Sequence, residues 1–293
     1  MSRFNAILLP LDGSPEAAKA AGCALWLAQA LGATLHVLHA TAHPLSAQDA
    51  LARLRVPQVQ DARVVFHQLS GAPEAAVLEE IAAHRIDLVV MSACGESAIA
   101  DVAPSRRLGT VAQAVIERSP VPVVLLPLHY RQTLPWTSML AAASGEAAAD
   151  QALKAAAHLA AALQIKVIVV HSGDDPAEPG RAALGAYFDA PHHEVPQRLE
   201  QLVERGLAGC GAEEARCVQQ VLLCRGDPAS VLLEQAVRHD SSALALGCHG
   251  ALGAGRALVL KRLIEEAECT LLLVRGTEHA RARLKVGREI DAD

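Results

Sequence analysis

Short, wholly apolar runs alternate along this chain with longer stretches whose apolar residues recur at helical spacing. Ile7 to Leu11 is the first such run, ended by Asp12-Gly13, and an apolar run of that length bounded by turn residues predicts a buried parallel strand. Ser14-Pro15-Glu16 offers an N-cap with proline at the first helical position, so a helix is predicted from about Pro15 to Leu31, closed by Gly32. The same reading gives strands at Leu35 to Leu38, Arg63 to Leu69, Leu88 to Met91 and Val121 to Leu126. Helices are predicted at Ser46 to Arg55, Pro73 to His84 and Gly109 to Arg118, with a loop of small residues from Gly95 to Arg107.

This order then returns. Between Thr137 and Val274, strands are predicted near Met139 to Ala141, Lys166 to Val170, Val218 to Leu223, Ala243 to Leu246 and Leu271 to Val274. SGAPEAAVLEEIAAHRIDLVVMSACG (Ser70 to Gly95) matches RGDPASVLLEQAVRHDSSALALGCHG (Arg225 to Gly250) without a gap at an offset of 155. AILLPLDGSPEAA (Ala6 to Ala18) is matched to SMLAAASGEAA (Ser138 to Ala148) at an offset of 130, which sets Asp12 against Ala142. An internal repeat fixes the architecture. Alternating strands and helices predict an α/β fold of two tandem, doubly wound, five-stranded parallel-sheet domains, residues 1–130 and 131–276. Leu128 to Trp136 reads as the linker, and residues 277–293 as a polar, mobile C-terminal tail. Val123 to Leu126 and Leu271 to Val274 are apolar last strands whose edges need covering, which suits packing as an intramolecular pseudo-dimer.

Composition narrows the picture. Apolar residues make up 52% of the 293 and aromatics 2%, so the cores must be packed from Ala, Leu and Val. No apolar run is long enough for a membrane span, and the N-terminus lacks signal-peptide features, so a cytoplasmic location without membrane partners is expected. A net charge of −6 argues against coating nucleic acid. Seven cysteines, an odd number, read as reduced thiols.

Ligands in such sheets sit at the carboxyl ends of the strands, at the switch in strand order. Asp12 follows the first strand, and Gly95, Gly109 and Thr110 bracket the loop between the fourth strand and the last helix. A helix start at Gly-Thr offers free backbone N–H groups and a hydroxyl suited to phosphate, and Arg106 and Arg107 precede it. Each feature has a plainer reading: a turn aspartate, a helix start, a solvated basic pair. Cys210, Cys217, Cys224, Cys248 and His249 invite a metal reading, but no C-x2-C pair is present and buried thiols on strands account for them. His192-His193 reads as a solvated loop pair, and His39 and His171, at matching strand ends, as structural histidines bonded to backbone. No catalytic triad order or Walker-type loop is present.

LLPLDGS, the strand end Leu38-His39-Ala40, the glycine after strand four, Leu108-Gly109-Thr110 before a helix, and PVPVVLLP together resemble a universal stress protein domain. Both halves share the resemblance, so the chain is similar to a tandem universal stress protein with an adenine nucleotide alpha hydrolase-like fold. The resemblance implies ATP or AMP, with Mg, held by an aspartate after strand one and a G-x2-G-x9-G-[S/T] pattern. On this chain those contacts would be Pro10, Asp12, Ala40, Gly95, Gly109 and Thr110, to which Arg107 is added from its place before the helix start. Ser92 replaces the first glycine, and thirteen residues separate Gly95 from Gly109 where the pattern has nine. The second half has Gly247 and Gly250 but lacks the aspartate, and either Leu260-Lys261 or Ala257-Leu258 stands at the closing G-[S/T].

The expectation is therefore a stress-response binding protein with at most one adenine-nucleotide site, in the first half. Two alternatives stay open: a scaffold binding a protein partner or a small apolar ligand, and a weak ATP hydrolase. Assembly beyond the internal pseudo-dimer, into a homodimer, and the identity of any protein partner are left open by the sequence.

Overall fold

The computed structural model describes residues 4–57, 63–95, 108–131, 133–173, 194–249, 252 and 257–276. The first half forms β1 (Ala6–Pro10), α1 (Pro15–Leu31), β2 (Thr34–Ala40), α2 (Ala47–Arg53), β3 (Val64–Leu69), α3 (Pro73–Ala83), β4 (Leu88–Ser92), α4 (Thr110–Arg118) and β5 (Val123–Leu126). The second forms β6 (Ser138–Ala142), α5 (Ala147–Leu163), β7 (Lys166–Gly173), α6 (Glu194–Gly206), α7 (Ala212–Cys217), β8 (Val218–Arg225), α8 (Pro228–Arg238), β9 (Ala243–Cys248), α9 (Leu258–Glu266) and β10 (Thr270–Arg275). The tail 277–293, Arg106, Arg107, His192, His193 and Gly250 lie outside the described residues.

The ten strands make one sheet in the order β3-β2-β1-β4-β5-β10-β9-β6-β7-β8. Pairing is parallel within each half, and the halves join where β5 runs antiparallel to β10, Leu125 opposite Leu271 and Val123 opposite Leu273. The two last strands thus cover each other's edges, as their apolar sequences predict.

Burial on both faces explains the all-apolar strands. Ile7 and Leu9 face one way, against Ala20 and Ala24 of α1, while Leu8 faces the other, toward Val77 of α3 and Val115 of α4. Alanines along α1 let that helix lie close on the sheet. Its ends match the sequence reading: Ser14 accepts a hydrogen bond from Ala17 N at 3.1 Å, and Gly32 sits at φ 64° with Ala33 N donating to Ala28 O at 2.8 Å. Helix α5 ends in the same left-handed turn, but with Gln164 at φ 56°. No helix among the described residues is long and apolar enough to cross a membrane.

Strand pairing corrects one alignment. Ala6 pairs with Thr34 and Ile7 with Leu88; in the second half Ser138 pairs with Lys166 and Met139 with Ala243. The offset between the copies of strand one and its helix is therefore 132 rather than 130, and the counterpart of Asp12 is Ser144, not Ala142. Gly13 and Gly145, at φ 90° and 83°, make the same turn. Ser14 N donates to Asp12 Oδ1 at 2.9 Å, and Glu146 N donates to Ser144 Oγ at 3.4 Å. Runs of alanine match each other at either offset, so only the ladder fixes the register. The offset of 155 holds, since α3 and α8 begin at Pro73 and Pro228.

Candidate functional site

In the first half the strand order reverses between β1 and β4, and a cavity of about 400 Å³ opens at their carboxyl ends. Pro10, Asp12, Ala40, Gly95, Gly109 and Thr110 all line it. Six of the seven residues singled out in the sequence thus surround one space, while Arg107 lies outside the described residues. Leu38, Val77 and Met91, which nothing in the sequence marks as site residues, give the cavity an apolar wall. They read as ordinary core residues, and only the fold turns them toward a common space.

Asp12 is placed by the turn that leaves β1. Oδ1 accepts from Ser14 N, and Oδ2 lies against Gly95, where an added Cβ would overlap it. Gly95 is therefore a glycine that the aspartate requires. Gly109 is different: its φ of −67° suits any residue, and a Cβ there would meet only ordinary contacts, the nearest being Ala93 O at 3.5 Å. Gly109 N donates to Ala93 O at 2.8 Å, which ties the start of α4 to the end of β4. Gly109 at the N-cap offers no side chain to cap α4, whose first turn faces the cavity through Thr110, Val111 and Ala112. A helix start in this position carries a partial positive charge suited to an anion.

His39 Nδ1 donates to Leu11 O at 2.9 Å, and His171 Nδ1 donates to Ala143 O at 2.7 Å. A carbonyl can only accept, so both rings carry their proton on Nδ1. These are structural histidines that pin the end of strand two to the turn after strand one.

The universal stress protein family model matches residues 3–61, 41–127 and 135–275. The chain belongs to the universal stress protein family. A universal stress protein of Thermus aquaticus is 33% identical over 141 residues, covering 42% of this chain and 98% of that protein. Among solved structures, a putative universal stress protein from Pseudomonas aeruginosa UCBPP-PA14 aligns over 93% of both chains at a TM-score of 0.61 and 15% identity. One from Archaeoglobus fulgidus DSM 4304 aligns over 94% of this chain and 98% of its own, also at 0.61, with 16% identity. These likenesses show the shared fold of a whole tandem chain.

The second universal stress protein unit treats the same place differently. Ser144 stands for Asp12, without a charge. Just beyond it, Glu146 and His249 pair at 2.5 Å across the ends of β6 and β9. Gly247, which fills the first glycine of the family pattern, is a packing glycine: a Cβ on it would overlap the backbone of Ala148 and Ala149 at the start of α5. Helix α9 begins at Leu258 after Ala257 at φ 52°, so Ala257-Leu258 rather than Leu260-Lys261 is the counterpart of Gly109-Thr110. A methyl and an isobutyl group replace the glycine and the hydroxyl. The cysteines weighed as metal ligands are dispersed: Cys248 is buried on β9, Cys210 contacts His158 at 3.7 Å, and Cys217 donates to Glu213 O at 3.3 Å.

Proposed function

We propose that the cavity between β1 and β4 binds an adenine nucleotide, ATP or AMP, and that the protein serves the stress response as a binding protein rather than as a turnover enzyme. The observation that carries this reading is the meeting of the Asp12 carboxylate and the start of α4 on one cavity. Its volume of about 400 Å³ lies within the range of small-molecule sites. Leu38, Ala40, Val77 and Met91 offer an apolar wall for the base. Asp12, which can only accept when ionised, suits ribose hydroxyls. The N–H groups of Thr110 to Ala112 and the Thr110 hydroxyl suit a phosphate. Among the described residues lining the cavity Asp12 is the one carboxylate, and neither histidine nor lysine accompanies it. That set favours holding a nucleotide over hydrolysing it.

Calorimetric titration with ATP and with AMP tests the reading. Binding that disappears in Asp12→Ala and persists in Ser144→Ala is expected. No heat at millimolar ligand, or an Asp12→Ala variant that binds like the parent, would sink it. The apolar wall also suits a small apolar ligand in place of the base. An adenine absorbance band near 260 nm above that of the protein's own two tryptophans and two tyrosines separates the two, since an aliphatic ligand lacks it.

A further inference from the structure

Beyond the apolar wall of the cavity, the C-terminal end of α3 packs over three histidines. His36 of β2 and His67 of β3 both face α3, because His36 pairs with Val65 and Leu38 with His67 in the parallel ladder. His84 follows α3 as its C-cap, one turn beyond Glu80. His36 Nδ1 and His67 Nε2 are 3.0 Å apart, and the three residues each offer a nitrogen within 4.8 Å of the others. Glu80 Oε2 lies 3.5 Å from His67 Nδ1 and 3.3 Å from His84 Nε2. That oxygen is buried and makes no hydrogen bond among the described residues, on a side chain only 7% exposed.

We propose that His36, His67 and His84 bind one zinc ion, with Glu80 behind His67 as the carboxylate that fixes its ligating tautomer. Two imidazole nitrogens on one tetrahedral zinc at about 2.0–2.1 Å stand roughly 3.3 Å apart, close to the spacing of His36 Nδ1 and His67 Nε2. Ligation through Nε2 leaves His67 Nδ1–H facing Glu80, the carboxylate–histidine–metal order found where a metal needs its ligand oriented. His84, with a side chain 39% exposed, can turn to complete the set.

Burial, and then the neighbouring imidazoles, hold His36 below the ordinary histidine value. Burial also lowers His67, against the pull of Glu80. Neutral rings present the lone pairs a metal needs. Without a cation the same arrangement is costly, because a buried carboxylate oxygen stays without a hydrogen bond among the described residues.

The internal repeat shows that the fold itself does not call for this cluster. At the offsets set by strand pairing, the second half carries Ile168 for His36, Leu222 for His67 and Gln235 for Glu80, keeping only His239 for His84. Ile168 is 1% exposed and Gln235 6%, so the apolar and neutral versions pack in the same places. Since β3 is the last strand of the sheet on this side, the ion would fasten an edge strand to its neighbour and to α3.

The test uses the full chain without a histidine tag, stripped by chelator and titrated with zinc chloride near neutral pH. One equivalent should bind with a dissociation constant in the micromolar range or tighter and should raise the melting temperature. His36→Ile and His67→Leu should each weaken binding at least about 100-fold, and Glu80→Gln about 10-fold, in line with outer-shell carboxylates of zinc sites. These are the residues the second half carries, so they keep the fold; circular dichroism checks this. No binding at about 100 μM zinc would overturn the proposal. So would unchanged affinity in His67→Leu, which would place the ion on the thiols instead.

Discussion

The α-carbon of Gly95 lies against the Asp12 carboxylate, so that a methyl group on residue 95 would overlap Oδ2. The group that yields is the end of an exposed side chain, not backbone, so the fold should tolerate the change while the carboxylate moves off its place at the cavity mouth. Gly95→Ala is expected to alter stability by less than about 1 kcal/mol and to weaken ATP binding about tenfold or more. Calorimetry with ATP beside a thermal melt checks both. Full affinity in Gly95→Ala would show that the position of Asp12 is immaterial.

Charge alone should not restore a site in the second half. Ser144→Asp rebuilds the acid, but Ala257-Leu258 still begins α9 and the Glu146–His249 pair still spans the strand ends. Nucleotide titration of a Ser144→Asp, Asp12→Ala double variant is expected to give no binding. Recovered affinity would contradict the division between the halves.

Two thiols should be inert in the native protein. Burial pushes Cys23 and Cys269 up to about 12. Relative to an ordinary thiol this lowers the thiolate fraction about a thousandfold near neutral pH. Timed alkylation read by mass spectrometry should label the half-buried Cys210, Cys217 and Cys224 first. Cys23 and Cys269 should react only on unfolding, and labelling of Cys23 at its urea-unfolded rate would refute their placement.

The paired helix ends give opposite signs. Gly32 and Gln164 occupy the same left-handed position after α1 and α5. Only glycine takes that conformation without strain, so Gly32→Gln is expected to lose about 1 kcal/mol and Gln164→Gly to gain about 0.5 kcal/mol, the smaller figure reflecting glycine's freer unfolded chain. Urea denaturation of the two variants measures the pair.

The two tryptophans of the chain meet each other. Trp26 on α1 and Trp136 before β6 have ring centroids 5.4 Å apart, and Trp136 is 3% exposed. Trp136→Ala is expected to cost about 3–5 kcal/mol through the cavity it leaves. Denaturation followed by circular dichroism would show it, and a loss under about 1 kcal/mol would mean that the contact contributes little.

Strands and helices were legible because both faces of the sheet are buried: runs such as Ile7 to Leu11 can be little else. The helix ends at Ser14 and Gly32 were legible because capping is local chemistry. The register of the second half was not, since alanine against alanine carries little information and two residues of slip leave Asp12 facing either Ala142 or Ser144. Six cavity residues could be named because strand ends and helix starts converge at the switch point. His36, His67 and His84 could not, since they lie on separate elements and share no local spacing motif. Only the parallel pairing of β2 with β3 and the return of α3 bring them together.

The antiparallel seam between β5 and β10 also has a genetic consequence. When two identical subunits meet across a two-fold axis, every codon change alters both at once, and a substitution that suits one site must be borne by the other. Here each copy has its own codons. A histidine could settle at 36 while isoleucine stayed at 168, and Asp12 could persist while its counterpart became serine, with the shared seam untouched.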